Sequence, residues 1–250
     1  MNAARNGGNA HQPSDADEKP GAAAKALSHI LETSSRVQAP AVRAYVQRLR
    51  RGNPESSPAE VVTKLEKRYL AAVMASGAAV GSAAAFPGIG TIAALSAVAG
   101  ETIVFLEATS LFVLAVAEVH GIPAAHREHR RALVLSVLVG DESKGAVREL
   151  VGPGRTSGEW LTESTAALPL PLVSQLNNRL LRYFAKRYAL RRGAIAFGKM
   201  LPMGIGAVIG GGGNRLMGKK IISNARKAFG APPSRWPVAL HVLPSASASG

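Results

Sequence analysis

YLAAVMASGAAVGSAAAFPGIGTIAALSAVAG, Tyr69 to Gly100, is a run of 32 residues without one Lys, Arg, Asp or Glu. A membrane-spanning helix needs about 20 apolar residues, so length alone admits a bilayer. Pro87-Gly-Ile-Gly90, however, falls in the middle of the run and divides it into two arms. Ala and Gly also drive insertion far less than Leu or Ile. What Gly77, Gly81 and the neighbouring small residues Ala84 and Ala85 do offer is a flat helix face for close approach. The stretch therefore reads as a helical hairpin, either packed tightly in a soluble bundle or dipping into or spanning a membrane.

The sequence on either side continues the helical pattern. Upstream, Ser57 can cap, Pro58 suits a first helical position, and Glu60 three residues after the cap completes a capping box. Val61, Val62, Leu65 and Tyr69 then form an apolar stripe, with Glu60 and Lys64 spaced to pair along its flank. This helix should end near Phe86-Pro87, and a second should run from about Thr91 to Val119. Still earlier, Val42, Tyr45, Val46 and Leu49 mark a helix that Gly52-Asn-Pro54 stops. Downstream, His120-Gly-Ile-Pro123 is a break, followed by a helix from about Ala124 to Gly140 and a short one near Ser143–Val151.

Gly152-Pro-Gly154, Pro169 and Pro171 keep the next segment loose, and a strong helix covers about Val173–Arg192 with Gly193 at its end. A second uncharged glycine stretch, MLPMGIGAVIGGGGN from Met200 to Asn214, holds a GxxxG between Gly206 and Gly210. Two shorter helices are expected around it. No segment alternates with period two for long enough to suggest a strand. The expected fold is all-α: one helical bundle over 40–230, with a mostly disordered tail at 1–39 and a flexible Pro/Ser/Ala-rich tail at 231–250.

The chain has 250 residues and no Cys, which excludes disulfides, thiolate nucleophiles and Cys-ligated metals. Its first twenty residues lack the apolar core of a secretory signal, so a cytoplasmic location or the cytoplasmic face of a membrane is expected. The net charge of +14 is unevenly spread, since the last 85 residues carry thirteen basic groups and no acidic one. A field of one sign attracts polyanions such as phospholipid headgroups, nucleic acid or an acidic partner. Arg179, Arg182 and Lys186 line one side of the Val173–Arg192 helix, while Leu181, Phe184 and Tyr188 line the other. Arg187, Arg191 and Arg192 broaden the charged side, and Lys219 and Lys220 follow the second glycine stretch. These eight residues are the candidate surface for anionic lipid or a protein partner. Gly77, Gly81, Gly206 and Gly210 are the candidate packing positions.

Three other patterns invite a chemical reading. Gly213-Asn-Arg-Leu-Met-Gly218-Lys219 matches the start of a phosphate-binding loop, but the next position is Lys220 instead of Ser or Thr. No acidic residue follows Glu163 to hold magnesium. Glu107 and Glu118 lie three turns apart on an apolar helix, with His120 just beyond, and form a candidate acidic site for acid/base chemistry. Ion pairing with Arg from neighbouring helices is the competing explanation, because a bare buried charge is costly. Glu118 with His120, His126 and His129 could be drawn as a metal site, yet Arg127, Arg130 and Arg131 would repel a cation. No metal, cofactor or catalytic set is expected.

Several of these patterns together resemble the EcsC family of bacterial proteins. They are Pro58-Ala-Glu60 leading into Leu65–Leu70, the Gly77/Gly81/Pro87-Gly-Ile-Gly90 stretch, and Ala117-Glu-Val-His-Gly121. Arg130-Arg-Ala-Leu-Val-Leu before Gly140-Asp141, and Leu201-Pro through Gly213-Asn214, complete the likeness over residues 40–230. The resemblance implies a helical, membrane-associated accessory protein with an ABC transporter as a partner, and no catalytic residues. The functional expectation is thus a non-enzymatic protein at a membrane surface, compatible with a homo-oligomer. The alternatives are an enzyme using Glu107, Glu118 and His120, or a soluble nucleic-acid binder. No helix-turn-helix, RNA-recognition or zinc-finger signature supports the last.

Overall fold

The computed structural model describes residues 40–84, 91–122, 126–143, 169–199 and 205–237. Within these residues the protein is all helical, with no strand. In chain order the helices are α1 (40–51), α2 (Pro58–Ala84), α3 (Thr91–Val119), α4 (Arg127–Val139), α5 (Leu170–Lys199) and α6 (Ile205–Phe229), with a 3-10 turn at Gly140–Glu142 after α4. The expected tail at 1–39, the turn Pro87–Gly90 and the short helix near Ser143–Val151 lie outside the described residues.

The start of α2 forms as its sequence requires. The Ser57 amide donates to Glu60 Oε2 at 3.0 Å, and the Glu60 amide donates to Ser57 Oγ at 3.3 Å. Two otherwise orphaned N–H groups are thereby satisfied reciprocally. With its carboxylate engaged in the cap, Glu60 makes no ion pair with Lys64 among the described residues.

The α2–α3 hairpin is antiparallel, and Tyr69 sets its register. The Tyr69 ring stacks on Phe112 with centroids 4.7 Å apart, while its hydroxyl and that of Thr109 share a 2.9 Å hydrogen bond. Thr109 also donates to the Phe105 carbonyl. A buried hydroxyl pair inside an apolar interface is tolerated because both oxygens are bonded.

α6 lies antiparallel on the other flank of α2, and its contacts fix the alignment. Gly211 meets Met74 and Ala78, Gly218 meets Leu70 and Val73, and Arg226 meets Glu66. The expectation of two shorter helices is corrected here, because α6 is one helix of 25 residues running straight through Gly210–Gly213. A mid-helix glycine costs about 1 kcal/mol against alanine. The cost is offset by close approach: a Cβ on Gly218 would stand 3.0 Å from Leu70 Cδ1 and Val73 Cγ2. Glycine serves here as a packing surface, in place of a helix stop.

α4 is buried nearly all round and is the central element, packed against α3, α5 and α6. It ends at Gly140, whose φ of +73° is costly for residues with a Cβ. Asn224 of α6 occupies the space a Cβ would need there and donates to the Val137 carbonyl at 2.9 Å. α5 buries Val173, Leu176, Asn177, Leu180 and Phe184. Asn177 anchors it to α4 by donating to Glu128 Oε2 at 2.7 Å. α5 also extends beyond the expected end, passing Gly193 to reach Lys199.

Tyr45, expected in the apolar stripe of α1, instead sits at the surface and accepts a hydrogen bond from Arg68 Nη1 at 3.0 Å. Residues 231–237, the first part of the segment expected to be a flexible tail, fold back on the base of the bundle. Trp236 donates Nε1–H to the Ser56 carbonyl at 3.0 Å, and the Arg50 guanidinium lies 4.6 Å above its ring. Pro237 abuts Gly121, which also has positive φ.

Candidate functional site

The described surface divides along the length of the α2–α3–α6 layer. Toward the hairpin turn, the exposed positions are Ala71, Ala72, Ala75 and Ala79 on α2, Gly100, Ile103 and Val104 on α3, and Gly212 on α6. None is charged. Ile103 and Val104 leave nearly half of their surface open, at 45% and 48%.

Glu101 is the one ionisable group in this half of the three helices, and it turns inward. It is 2% exposed, and its Oε1 accepts from Asn214 Nδ2 at 2.7 Å. The same amide donates to the Val73 carbonyl at 2.8 Å, so Asn214 joins α2, α3 and α6 at one point. A buried carboxylate is tolerable when it is hydrogen-bonded, and this one puts no charge on the outer face.

A belt of exposed charge follows immediately. Lys67 and Arg68 stand on α2, Glu107 on α3, and Arg215, Lys219 and Lys220 on α6. The helix pairings place these groups at similar height, because Asn214 and Gly218 flank Val73 while Tyr69 meets Thr109. Leu216 protrudes among the α6 cations and is 72% exposed. Arg215, Lys219 and Lys220 make no ion pair among the described residues.

The next cations along α6 are committed elsewhere. Arg226 donates through Nε and Nη2 to the Glu66 carboxylate at 2.7 and 2.5 Å, and Lys227 meets Asp141 at 2.9 Å. The bidentate bond to Glu66 raises the Arg226 pKa further above its ordinary value. The cations of α6 are therefore of two kinds: Arg226 and Lys227, which tie it to the bundle, and Arg215, Lys219 and Lys220, which face outward.

Of the candidate lipid-binding residues, Lys219 and Lys220 belong to this outward belt, and Arg182 is exposed on α5. Arg179 is partly buried and engaged. The side chains of Lys186, Arg187, Arg191 and Arg192 lie outside the described residues, although all four are on α5. Arg215 and Leu216 went unnoticed in the sequence. Their signal was the continuation of the Lys219/Lys220 face one turn back toward the glycines. Of the candidate packing glycines, Gly77 is buried on α2, while the packing of Gly81, Gly206 and Gly210 lies outside the described residues. Gly211 and Gly218 are the positions observed in close approach.

The phosphate-loop-like run Gly213–Lys219 is helical throughout. Its amides are spent inside α6, which leaves no loop to cradle phosphate. The acidic set does not gather round one space. Glu107 is exposed, and Glu118 pairs with Arg43 at 3.6 Å. Eleven residues separate them along α3, about 16 Å of helix.

His120 sits at the base of the bundle. Its Nδ1 lies 2.9 Å from the Val116 carbonyl, and its ring is tilted against Phe229 with centroids 5.4 Å apart. Burial pushes its pKa below the ordinary 6.5, with the Val116 and Gly230 carbonyls pulling weakly the other way. One described segment, Gly100–Val119, is long and apolar enough to cross a membrane, but most of it is buried inside the bundle. A core helix passes the same test of length and composition.

Comparison with protein-family models, with curated proteins and with solved structures yields no match for this chain.

Proposed function

We propose that this protein is a non-enzymatic accessory protein that binds the anionic surface of a membrane. One observation carries the reading: Leu216 stands exposed among Arg215, Lys219 and Lys220, none of which has an ion-pair partner among the described residues. Surface cations left without partners beside an exposed apolar side chain suit an interface that is both anionic and oily. Each such Lys or Arg close to an anionic leaflet contributes about 1 kcal/mol, so the three on α6 together favour attachment by about 3 kcal/mol. The EcsC-like sequence pattern points to the same class of protein, with a membrane transporter as a protein partner at that surface.

Sedimentation with vesicles tests the reading. Binding to vesicles containing phosphatidylglycerol, weakened by salt and absent with phosphatidylcholine alone, is the expected result. The triple substitution Arg215→Glu, Lys219→Glu and Lys220→Glu should abolish it while leaving the helical circular-dichroism spectrum intact. A protein that ignores anionic vesicles but binds DNA or RNA with steep salt dependence would overturn it.

A further inference from the structure

We infer that the base of the bundle, where α1 ends beside Trp236, docks an acidic segment of a partner protein. This surface is separate from the outward cations of α6, and the inference goes beyond the membrane reading without resting on it.

The surface is a cleft of about 540 Å³ lined by Gln47, Arg50, Arg51 and Pro54. Its donors come from the last turn of α1. Gln47 lies three residues before Arg50 and four before Arg51, so the carboxamide and the two guanidinium groups share one side of the helix. All four lining residues are exposed. An open cleft of this kind suits the side chains of a chain laid across it better than an enclosed small ligand.

The walls of the cleft are fixed by contacts already in place. The Arg50 guanidinium lies 4.6 Å above the Trp236 ring, and the indole N–H donates to the Ser56 carbonyl at 3.0 Å. The turn between α1 and α2 is held by its own backbone. Gly52 N–H donates to the Arg48 carbonyl at 3.0 Å, Asn53 N–H to Arg50 at 3.2 Å, and Ser56 N–H to Asn53 at 3.0 Å. A guanidinium stacked by its face on an indole keeps its N–H edge for a ligand. Groups ordered before binding lose less freedom when a partner arrives.

Charge identifies the partner. Between Pro40 and Ser57 the chain carries four arginines, no lysine and one acid, Glu55. Arg43 is paired with Glu118 at 3.6 Å. Arg48, Arg50 and Arg51, and Arg235 next to Trp236, make no ion pair among the described residues. The planar fork of arginine matches a carboxylate with two parallel hydrogen bonds. Arg and Trp are also enriched in protein interfaces, where Lys is depleted. The α6 face differs in carrying Lys219 and Lys220. From Pro58 to Arg68 the base and the α6 cations are separated by ten residues of α2, about 15 Å of helix. A partner seated at the base therefore leaves the α6 cations uncovered.

Titration of the full chain into fluorescein-labelled hexaglutamate, followed by anisotropy, tests the inference. Saturable binding that weakens with salt is expected, and no binding by the parent protein would overturn the inference. The pair Arg50→Gln and Arg51→Gln should weaken binding about tenfold or more. Gln47→Glu, which leaves the Arg50–Trp236 contact in place, should weaken it in the same direction. Binding unchanged in both variants would overturn the docking site. The triple substitution Arg215→Glu, Lys219→Glu and Lys220→Glu should retain hexaglutamate, and its loss there alone would move the site to α6. With Trp160→Phe, Trp236 is the remaining tryptophan, and its emission should change as hexaglutamate binds. Tighter binding of single-stranded oligothymidylate through Arg50 and Arg51 would assign the cleft to nucleic acid and overturn the inference. Loss of anionic-vesicle binding in the Arg50→Gln, Arg51→Gln protein would assign it to lipid with the same consequence. A parent protein that ignores vesicles yet binds hexaglutamate through these arginines would overturn the membrane reading alone.

Discussion

Asn214 donates one side-chain amide both to the Glu101 carboxylate and to the Val73 carbonyl, at 2.7 and 2.8 Å. The residues lie 113 and 141 positions from it in the chain. With the Arg226–Glu66 pair, this buried polar contact fixes the register of α6 against the hairpin. Apolar packing alone would let two glycine-faced helices slide, because flat faces offer few features to interlock. A hydrogen-bonded buried group makes every other register costly.

Removing that amide should therefore be expensive. Asn214→Ala is expected to lower stability by about 2–3 kcal/mol, since it takes a hydrogen-bond donor from the buried Glu101 carboxylate. Glu101→Gln should cost less than about 1 kcal/mol, because an amide oxygen accepts the same bond. Urea denaturation followed by circular dichroism gives both values. Equal losses in the two variants would show that the pair does not act as described.

The glycines of α6 should respond in opposite directions. Gly218→Leu forces a side chain against Leu70 and Val73, where even a Cβ would stand at 3.0 Å, and should cost about 1–3 kcal/mol or more. Gly212 has nothing within 4 Å of an added Cβ. Gly212→Ala should stabilise by up to about 1 kcal/mol through helix propensity. Thermal melting of the two variants beside the parent protein checks the signs.

Gly140 is a separate constraint. Gly140→Ala meets both the positive φ and the Asn224 side chain, so a loss of about 1–3 kcal/mol is expected. Pairing it with Asn224→Ala should recover the part due to collision and leave the backbone part. A double-mutant cycle measures that coupling.

His120 makes stability depend on pH. Its folded pKa lies below the ordinary 6.5, so the unfolded chain takes up the proton first. Its contribution is intact above pH 6.5 and is lost as pH falls from there through the lowered folded value. His120→Gln should flatten the decline of the melting temperature between neutral and mildly acidic pH. A parallel decline in parent and variant would show that His120 does not carry the dependence.

Much of the layout was legible locally. The Ser57–Glu60 capping box, the arm Thr91–Val119 and the stop at Gly140 each depend on residues within a turn or two of one another. The errors fell where a distant partner decides the outcome. Gly193 and Gly210–Gly213 looked like helix ends because intrinsic propensity disfavours them. Tyr45 matched a core stripe by spacing but serves Arg68 at the surface. Glu101 looked like the first charge after a long apolar run, and nothing nearby indicated that it points inward.

The sequence by itself determined an all-helical chain, the break that makes a hairpin of its longest uncharged run, and the concentration of cations in its last third. Those are properties of periodicity, proline and composition, which need no knowledge of neighbours. Only the tertiary structure decided that residues 205–214 of the second glycine stretch are helical, with Gly211 packed against Met74 and Ala78. It also decided which cations remain free. Arg226 finds Glu66 and Lys227 finds Asp141 across 160 and 86 residues, whereas Arg215, Lys219 and Lys220 face outward beside Leu216. Charge can be counted along a chain, but whether it is neutralised depends on which helices pack together.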